Sequence, residues 1–214
     1  MENEYIDAPL SLISVKHPEK GKKMMDYDRH SKYLIKIEAQ GSLEAKLYEY
    51  AERFYESAHR ITDFILNEEH PDIGKLDTFF FPIAFLYRHC IELGLKAVGF
   101  RNIHTNIERI EFIKETRHDL YEILNRLRII SYHTPEEKEL VWLGKLFADI
   151  SVLDKESDSF RYPFHISWEK ESLGDGGFSV KRVFEDQISI DLVKFANKFA
   201  RWGLTPTWVT LRQL

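Results

Sequence analysis

One stretch of the chain places four polar side chains on one side of an otherwise apolar predicted helix, 80–98. At about 100° per residue, Arg88, Glu92 and Lys96 fall within roughly 80° of one another, and His89 lies beside them. Charges paired in this way can hold an anion or orient a catalytic group where they face a cleft. We therefore assign Arg88 as a candidate catalytic residue and His89, Glu92 and Lys96 as candidate binding residues. The alternative is a solvated face with ordinary i,i+4 ion pairs.

Two residues further along the chain complete this set of catalytic candidates, His118 and Arg161. An imidazole changes charge near neutral pH and can act as general acid or base, and the free N–H groups of a helix start favour an anion beside it. Arg161 stands between two aromatic residues and could grip a phosphate or carboxylate in a bidentate contact. As structure alone, Arg161 would be a lid residue that bonds to Glu92.

The chain lacks the sequence motifs of several other chemistries. It contains no phosphate-binding glycine loop, no dinucleotide-binding fingerprint, no Gly-x-Ser-x-Gly elbow and no His-Glu-x-x-His pair. None of the nine histidines has a second histidine four residues away, and Cys90 is the single cysteine. We therefore expect no cofactor and no metal site.

The elements that must position the candidates are mostly helices. The apolar periodicity predicts five of them: about 25 residues after an N-cap at Ser42, then 80–98, 117–130 after a cap at Thr116, a helix from Thr134, and 191–202. Since proline is tolerated mainly in a first helical turn, Pro82 places the second start near Phe80 or Phe81. Two β-prone runs around a glycine-rich turn predict a small hairpin at about 164–184.

Length and composition indicate one large globular domain, or one domain with an appendage. The chain has 214 residues, of which 43% are hydrophobic and 30% charged, and its net charge is -5. We expect an N-terminal extension over 1–40, a helical domain over 41–203 and a tail over 204–214. The negative charge leaves any nucleic-acid contact to a local basic cluster. The absence of a secretory signal, of a bilayer-length apolar run and of paired cysteines favours a cytoplasmic protein with no membrane partner.

Three motifs in order carry a family resemblance: Tyr87-Arg88-His89-x-x-Glu92-Leu93-x-Leu95-Lys96, His118-Asp119-Leu120 and Phe160-Arg161-Tyr162-Pro163. Over roughly 80–200 the chain resembles uncharacterised bacterial proteins of the HEPN-like (higher eukaryote and prokaryote nucleotide-binding) superfamily. The resemblance implies a mainly α fold, a bundle of four to five helices, here with the small hairpin. It also implies a homodimer. Many members are metal-independent endoribonucleases of toxin–antitoxin or anti-phage (phage defence) systems.

Two functional hypotheses follow from the resemblance and the candidate residues. In the first, the protein has an RNA- or nucleotide-related role, with His118, Arg161 and Arg88 around an anion. The protein is then either a ribonuclease or a binding component, and it has a cognate partner protein. The family's catalytic motif is an Arg and a His separated by four to six residues, and it occurs as Arg53…His59, Arg126…His133 and Arg128…His133. In the second, the chain is a non-catalytic interaction module whose polar network fixes helix register.

Overall fold

A computed structural model describes the helical part of the chain. The described residues are 41–68, 73–130, 137–154, 159–161, 164–169, 177–182 and 189–202. At 73, 137–140, 164–169, 177–182 and 201–202 the description covers the backbone only. All of them belong to one compact unit, Gly41–Leu214. The expected extension 1–40 and tail 204–214 lie outside the described residues.

The described chain is mainly helical, and its elements are α1 (Leu43–Leu66), α2 (Ile73–Asn102), α3 (Asn106–Thr116), α4 (Leu120–Ile130), α5 (Glu137–Leu153), β1 (Phe164–Glu169), β2 (Gly177–Arg182) and α6 (Leu192–Trp202). The backbones of β1 and β2 pair antiparallel, with position 166 opposite position 180. The turn that would join them, 170–176, lies outside the described residues, so the hairpin as a whole stays a prediction. Among the described helices, none is long and apolar enough to cross a bilayer.

Helix α1 begins where the sequence predicts and packs along α2. The Ser42 hydroxyl accepts a hydrogen bond from the Ala45 N–H at 3.3 Å, which satisfies a backbone donor of the first turn. Ala51 and Ala58 are fully buried, one heptad apart. Because these side chains are small, the two helix backbones can approach closely, and α1 with α2 forms the most extensive helix pair of the described chain.

Helix α2 begins at Ile73, so the expectation that it starts beside Pro82 is wrong. Proline has no N–H, so Pro82 cannot donate to the carbonyl of Thr78, four residues earlier. Pro82 and Thr78 are both exposed. Aromatic packing secures this first part of the helix, since the Phe80 ring lies 5.2 Å from that of Phe195 on α6. Tertiary burial therefore outweighs the local penalty of the proline.

Helix α3 was not expected, although the sequence contains its start signal. The Thr105 hydroxyl accepts from the Glu108 N–H at 3.2 Å, and the Glu108 carboxylate accepts from the Thr105 N–H at 3.3 Å. This reciprocal capping box is the pattern Thr-x-x-Glu. It could have been found by searching for caps independently of hydrophobic periodicity, which is weak in this short helix.

Helix α4 starts three residues later than predicted, because its cap is Asp119 and not Thr116. The Asp119 carboxylate accepts from the N–H groups of Tyr121 at 2.8 Å and Glu122 at 3.1 Å. Thr116 instead ends α3, where its hydroxyl donates to the Phe112 carbonyl. The predicted single helix over 117–130 is thus a junction followed by α4.

Helices α5 and α6 close the core as the sequence indicates. The apolar residues buried on α5 are Leu143, Leu146, Phe147 and Ile150. Helix α6 begins after Asp191, whose carboxylate accepts from the Lys194 N–H at 3.0 Å, and it buries Phe195 and Phe199. The cap expected at Thr134 lies outside the described residues.

Gly99 marks a close approach of α2 to α3. A Cβ placed on Gly99 would lie 2.7 Å from Cζ of Phe112, a ring that is 4% exposed. Contacts this short force a displacement of the ring, and a packed neighbour can move only at an energetic cost. The helix crossing therefore depends on the absence of a side chain at this position.

We expect Gly99→Ala to lower the free energy of unfolding by about 1–3 kcal/mol, the usual effect of overpacking a core. Gly144→Ala on α5 is the matched control, because nothing lies within 4 Å of a Cβ there. Alanine is the better helix former, so the control should be neutral or more stable than wild type. Equal effects of the two substitutions in urea unfolding would contradict the close approach.

Candidate functional site

The centre of the predicted polar stripe is the buried carboxylate of Glu92, which is 2% exposed. Its Oε1 accepts from Lys96 Nζ at 2.6 Å, and its Oε2 accepts from Arg88 Nη1 at 3.2 Å. Spacing of four residues on α2 puts the three side chains on one face, as the sequence predicts. Arg88 and Lys96 are each 6% exposed, so this face is buried and the solvated alternative is wrong.

The same two cations reach across to the junction between α3 and α4. Lys96 Nζ donates to the carbonyl of Arg117 at 2.5 Å, and Arg88 Nη2 donates to the carbonyl of His118 at 2.5 Å. Arg117 has φ 44° and ψ -111°, a backbone conformation that side-chain-bearing residues rarely adopt. Such strain amounts to about 1–3 kcal/mol and persists only where its surroundings impose it. At this position the carbonyls of two successive residues accept hydrogen bonds from buried cations.

Two histidines approach the Glu92 carboxylate, one near each oxygen. His118 Nδ1 lies 3.0 Å from Oε1, and His89 Nδ1 lies 3.8 Å from Oε2. The His89 ring is stacked on Phe85 and meets Phe54 edge-on, which fixes it between α1 and α2. The His118 side chain is 53% exposed. Of the two rings, His118 is the one that a dissolved molecule can reach more easily.

Asp154, one residue beyond α5, is a member of this cluster that the sequence analysis missed. Its Oδ2 lies 2.8 Å from Arg88 Nε, and its Oδ1 accepts from the Ser159 N–H at 2.8 Å. The carboxylate is buried, with the residue 4% exposed. No local pattern could have linked it to Arg88, because Asp154 follows the end of α5 and lies far along the chain from α2.

Arg161 is the one predicted site residue that the structure does not bring into the cluster. It is exposed, and it is not among the described side chains that pair with Glu92. It follows Ser159 and the buried Phe160 directly, so its segment is anchored next to Asp154. The structure thus unites Arg88, His89, Glu92, Lys96 and His118, and it leaves Arg161 at the surface.

The expectation that His118 stands at free helical N–H groups is not met. The carboxylate of Asp119 already accepts from two of those N–H groups. The partner of the imidazole is therefore the Glu92 carboxylate and not a helix terminus.

The charge of Glu92 is maintained against strong burial. Burial by itself would raise the pKa of Glu92, but contact with His89, the charge and hydrogen bond of Lys96 and the charge of His118 together hold the pKa well below its ordinary value. The carboxylate is accordingly ionised at neutral pH and can only accept hydrogen bonds.

Comparisons with known proteins give no match for this chain among family models, curated proteins or solved structures. Within the described ranges, no group of three His, Cys, Asp or Glu side chains is arranged to hold a metal ion. Function has to be argued from the geometry around Glu92.

We expect Glu92→Ala to lower the free energy of unfolding by about 3–5 kcal/mol, because it leaves two buried cations without their shared anion. The control is Glu49→Ala, which removes an exposed carboxylate paired with Lys46 on α1. It should leave urea unfolding unchanged. A Glu92 variant as stable as wild type would show that solvent screens the cluster.

Glu92 should also make the free energy of unfolding depend on pH in the acid range. Its pKa in the folded protein lies below the ordinary 4.5, so the unfolded chain binds the proton first as the pH falls. The stabilisation is complete well above pH 4.5, declines as the pH drops past that value, and continues to decline toward the lower folded pKa. In Glu92→Gln this component of the acid slope should disappear from unfolding curves measured between pH 6 and pH 3. An unchanged slope would contradict the assignment.

Proposed function

We propose that the chain is an HEPN-like helical protein that acts on RNA, as a metal-independent endoribonuclease with His118 as its acid–base group. The observation that supports this most directly is the pairing of an accessible imidazole with a buried, ionised carboxylate at 3.0 Å. A base whose orientation is fixed by a second group is the usual arrangement for proton transfer in enzymes.

The Glu92 carboxylate determines which ring nitrogen of His118 carries hydrogen. Since an ionised carboxylate accepts only, the neighbouring Nδ1 is the N–H donor, and Nε2 is then the basic nitrogen of the neutral ring. The carboxylate also stabilises the imidazolium that forms when Nε2 takes a proton. The pair is thus suited to remove a proton from a substrate hydroxyl and to return one to a leaving group.

In this proposal Arg88 and Lys96 position the pair and do not contact substrate. Both are buried, and they donate to Glu92 and to the backbone carbonyls at the α3–α4 junction, while Arg88 also forms an ion pair with Asp154. Their charges keep Glu92 ionised. Arg88, a catalytic candidate in the sequence analysis, is therefore reassigned here as a positioning residue.

Arg161 is the cation assigned to the phosphate. It is exposed on the anchored segment after α5, and a guanidinium can hold two phosphate oxygens in a way that lysine imitates poorly. The reaction begins when His118 Nε2 accepts the proton of the 2′-hydroxyl. The freed oxygen then bonds to phosphorus, the bond from phosphorus to the 5′-oxygen breaks, and that oxygen takes the proton that His118 Nε2 accepted, which leaves a 2′,3′-cyclic phosphate and the neutral imidazole. No metal takes part in these steps.

A second candidate function is the non-catalytic interaction module. The observation in its favour is that buried Arg88 and Lys96 are already engaged by protein groups, as in a network that fixes helix register. Homodimerisation, a cognate partner protein and a toxin–antitoxin or phage-defence setting follow only from the family resemblance, and they stay predictions.

The test is cleavage of a single-stranded RNA by the full chain in the presence of EDTA. We expect His118→Ala to reduce the rate by about 100-fold or more. His59→Ala is the matched control: this histidine also lies beside a carboxylate, Asp63 at 3.4 Å, but both side chains are exposed on α1. It should cleave like wild type.

Two results would overturn the assignment. If cleavage is lost in His59→Ala and kept in His118→Ala, the family's Arg53…His59 motif is the site and the Glu92 cluster is structural. If the wild type neither cleaves RNA nor binds a nucleotide, the interaction module is the better description.

A further inference from the structure

Asp154 contacts two parts of the chain that the proposed reaction must bring together. One carboxylate oxygen meets Arg88 Nε at 2.8 Å, and the other accepts from the Ser159 N–H at 2.8 Å. The second contact fixes the start of the segment that carries Arg161. The first contact reaches Arg88 on α2, the helix that also carries Glu92, the partner of His118.

The guanidinium of Arg88 continues this connection. Nη1 donates to Glu92, and Nη2 donates to the backbone carbonyl of His118. Arg88 thus holds both the carboxylate that orients the imidazole and the backbone that carries it. Because a guanidinium is planar and rigid, a group that fixes Nε also fixes the directions of the other two donors.

We infer that Asp154 is a positioning residue of the His118 site, acting through Arg88, and that it sets the Arg161 segment and the imidazole in one geometry. The inference rests on the proposed function. Asp154 itself touches no substrate. In its absence Arg88 would lose the buried anion beside Nε and would hold Glu92 and the His118 carbonyl through Nη1 and Nη2 alone, so we expect the guanidinium to shift and the His118 ring to lose its single orientation.

Asp154→Asn separates this role from simple loop anchoring. An asparagine oxygen can still accept from the Ser159 N–H, but the negative charge beside Arg88 is gone. The matched control is Asp149→Asn, five residues earlier, where the carboxylate is exposed and paired with Lys198 on α6. Asp154→Ala removes both contacts of the carboxylate.

The first measurement is the ring nitrogen NMR spectrum of His118 at pH 8, which reports the tautomer without any need for substrate. Wild type and Asp149→Asn should show the hydrogen on Nδ1. Asp154→Asn should show a mixture of both tautomers. A His118 spectrum identical to that of wild type in Asp154→Asn overturns the inference, whether or not the protein cleaves RNA.

The second measurement is RNA cleavage. We expect kcat to fall about 10- to 100-fold in Asp154→Asn with KM little changed, because a small displacement of a reacting group has effects of this size. Asp154→Ala should raise KM as well, since the Arg161 segment is released. Wild-type kcat in Asp154→Asn contradicts the inference.

Asp154→Glu decides the matter if Asp154→Asn does not fold. It keeps the charge but adds a methylene, so we expect a folded protein with a displaced Arg88 plane and the same mixture of His118 tautomers. A wild-type spectrum in a folded Asp154→Glu overturns the inference. Lack of cleavage by the wild type overturns the proposed function alone, and the NMR comparison still judges Asp154.

Discussion

The fold depends on keeping a charged carboxylate inside a helical core. An isolated ionised carboxylate is expensive to remove from water, so Glu92 requires partners with good geometry. Arg88 and Lys96 on the same helix supply positive charge, and Asp154 balances the second cation. The remaining donors of the two cations reach the α3–α4 junction. A single buried charge on α2 thereby determines where three other parts of the chain must lie.

Apolar packing gives that electrostatic cluster its frame. Tyr87, one residue before Arg88, is fully buried and stacks on Phe199 of α6 at 4.8 Å. Phe160, beside the Arg161 segment, meets Phe80 at 6.0 Å. Burial raises the pKa of Tyr87 to about 12, so this ring stays neutral. Helix α2 packs against α1, α4 and α6. Apolar contacts with these helices hold in place the elements that cover the polar face of α2.

Sequence reasoning reached the local features of this arrangement and missed the tertiary ones. The i,i+4 stripe on α2 was predictable because helix geometry alone groups its members. The Thr105 capping box is a local signal as well, but the apolar periodicity that accompanies it is weak in a helix as short as α3. The continuation of α2 through Pro82 depends on aromatic partners far along the chain. The contact of Asp154 with Arg88 has no local signature, because it joins residues far apart in the sequence.

Backbone strain at Arg117 bears on whether the cluster is only structural. Buried ion networks can be replaced by apolar side chains without loss of stability, so stability alone explains neither their retention nor a strained residue beside them. Hydrogen bonds from charged groups contribute about 1.5–3 kcal/mol each, enough for those to the Arg117 and His118 carbonyls to offset strain of about 1–3 kcal/mol. The result is a junction held in one conformation, with the His118 imidazole against Glu92 and half exposed to solvent. The strained turn at Arg117 thus stands between two contacts with the α2 cations, and the residue that follows it carries the imidazole that lies beside Glu92.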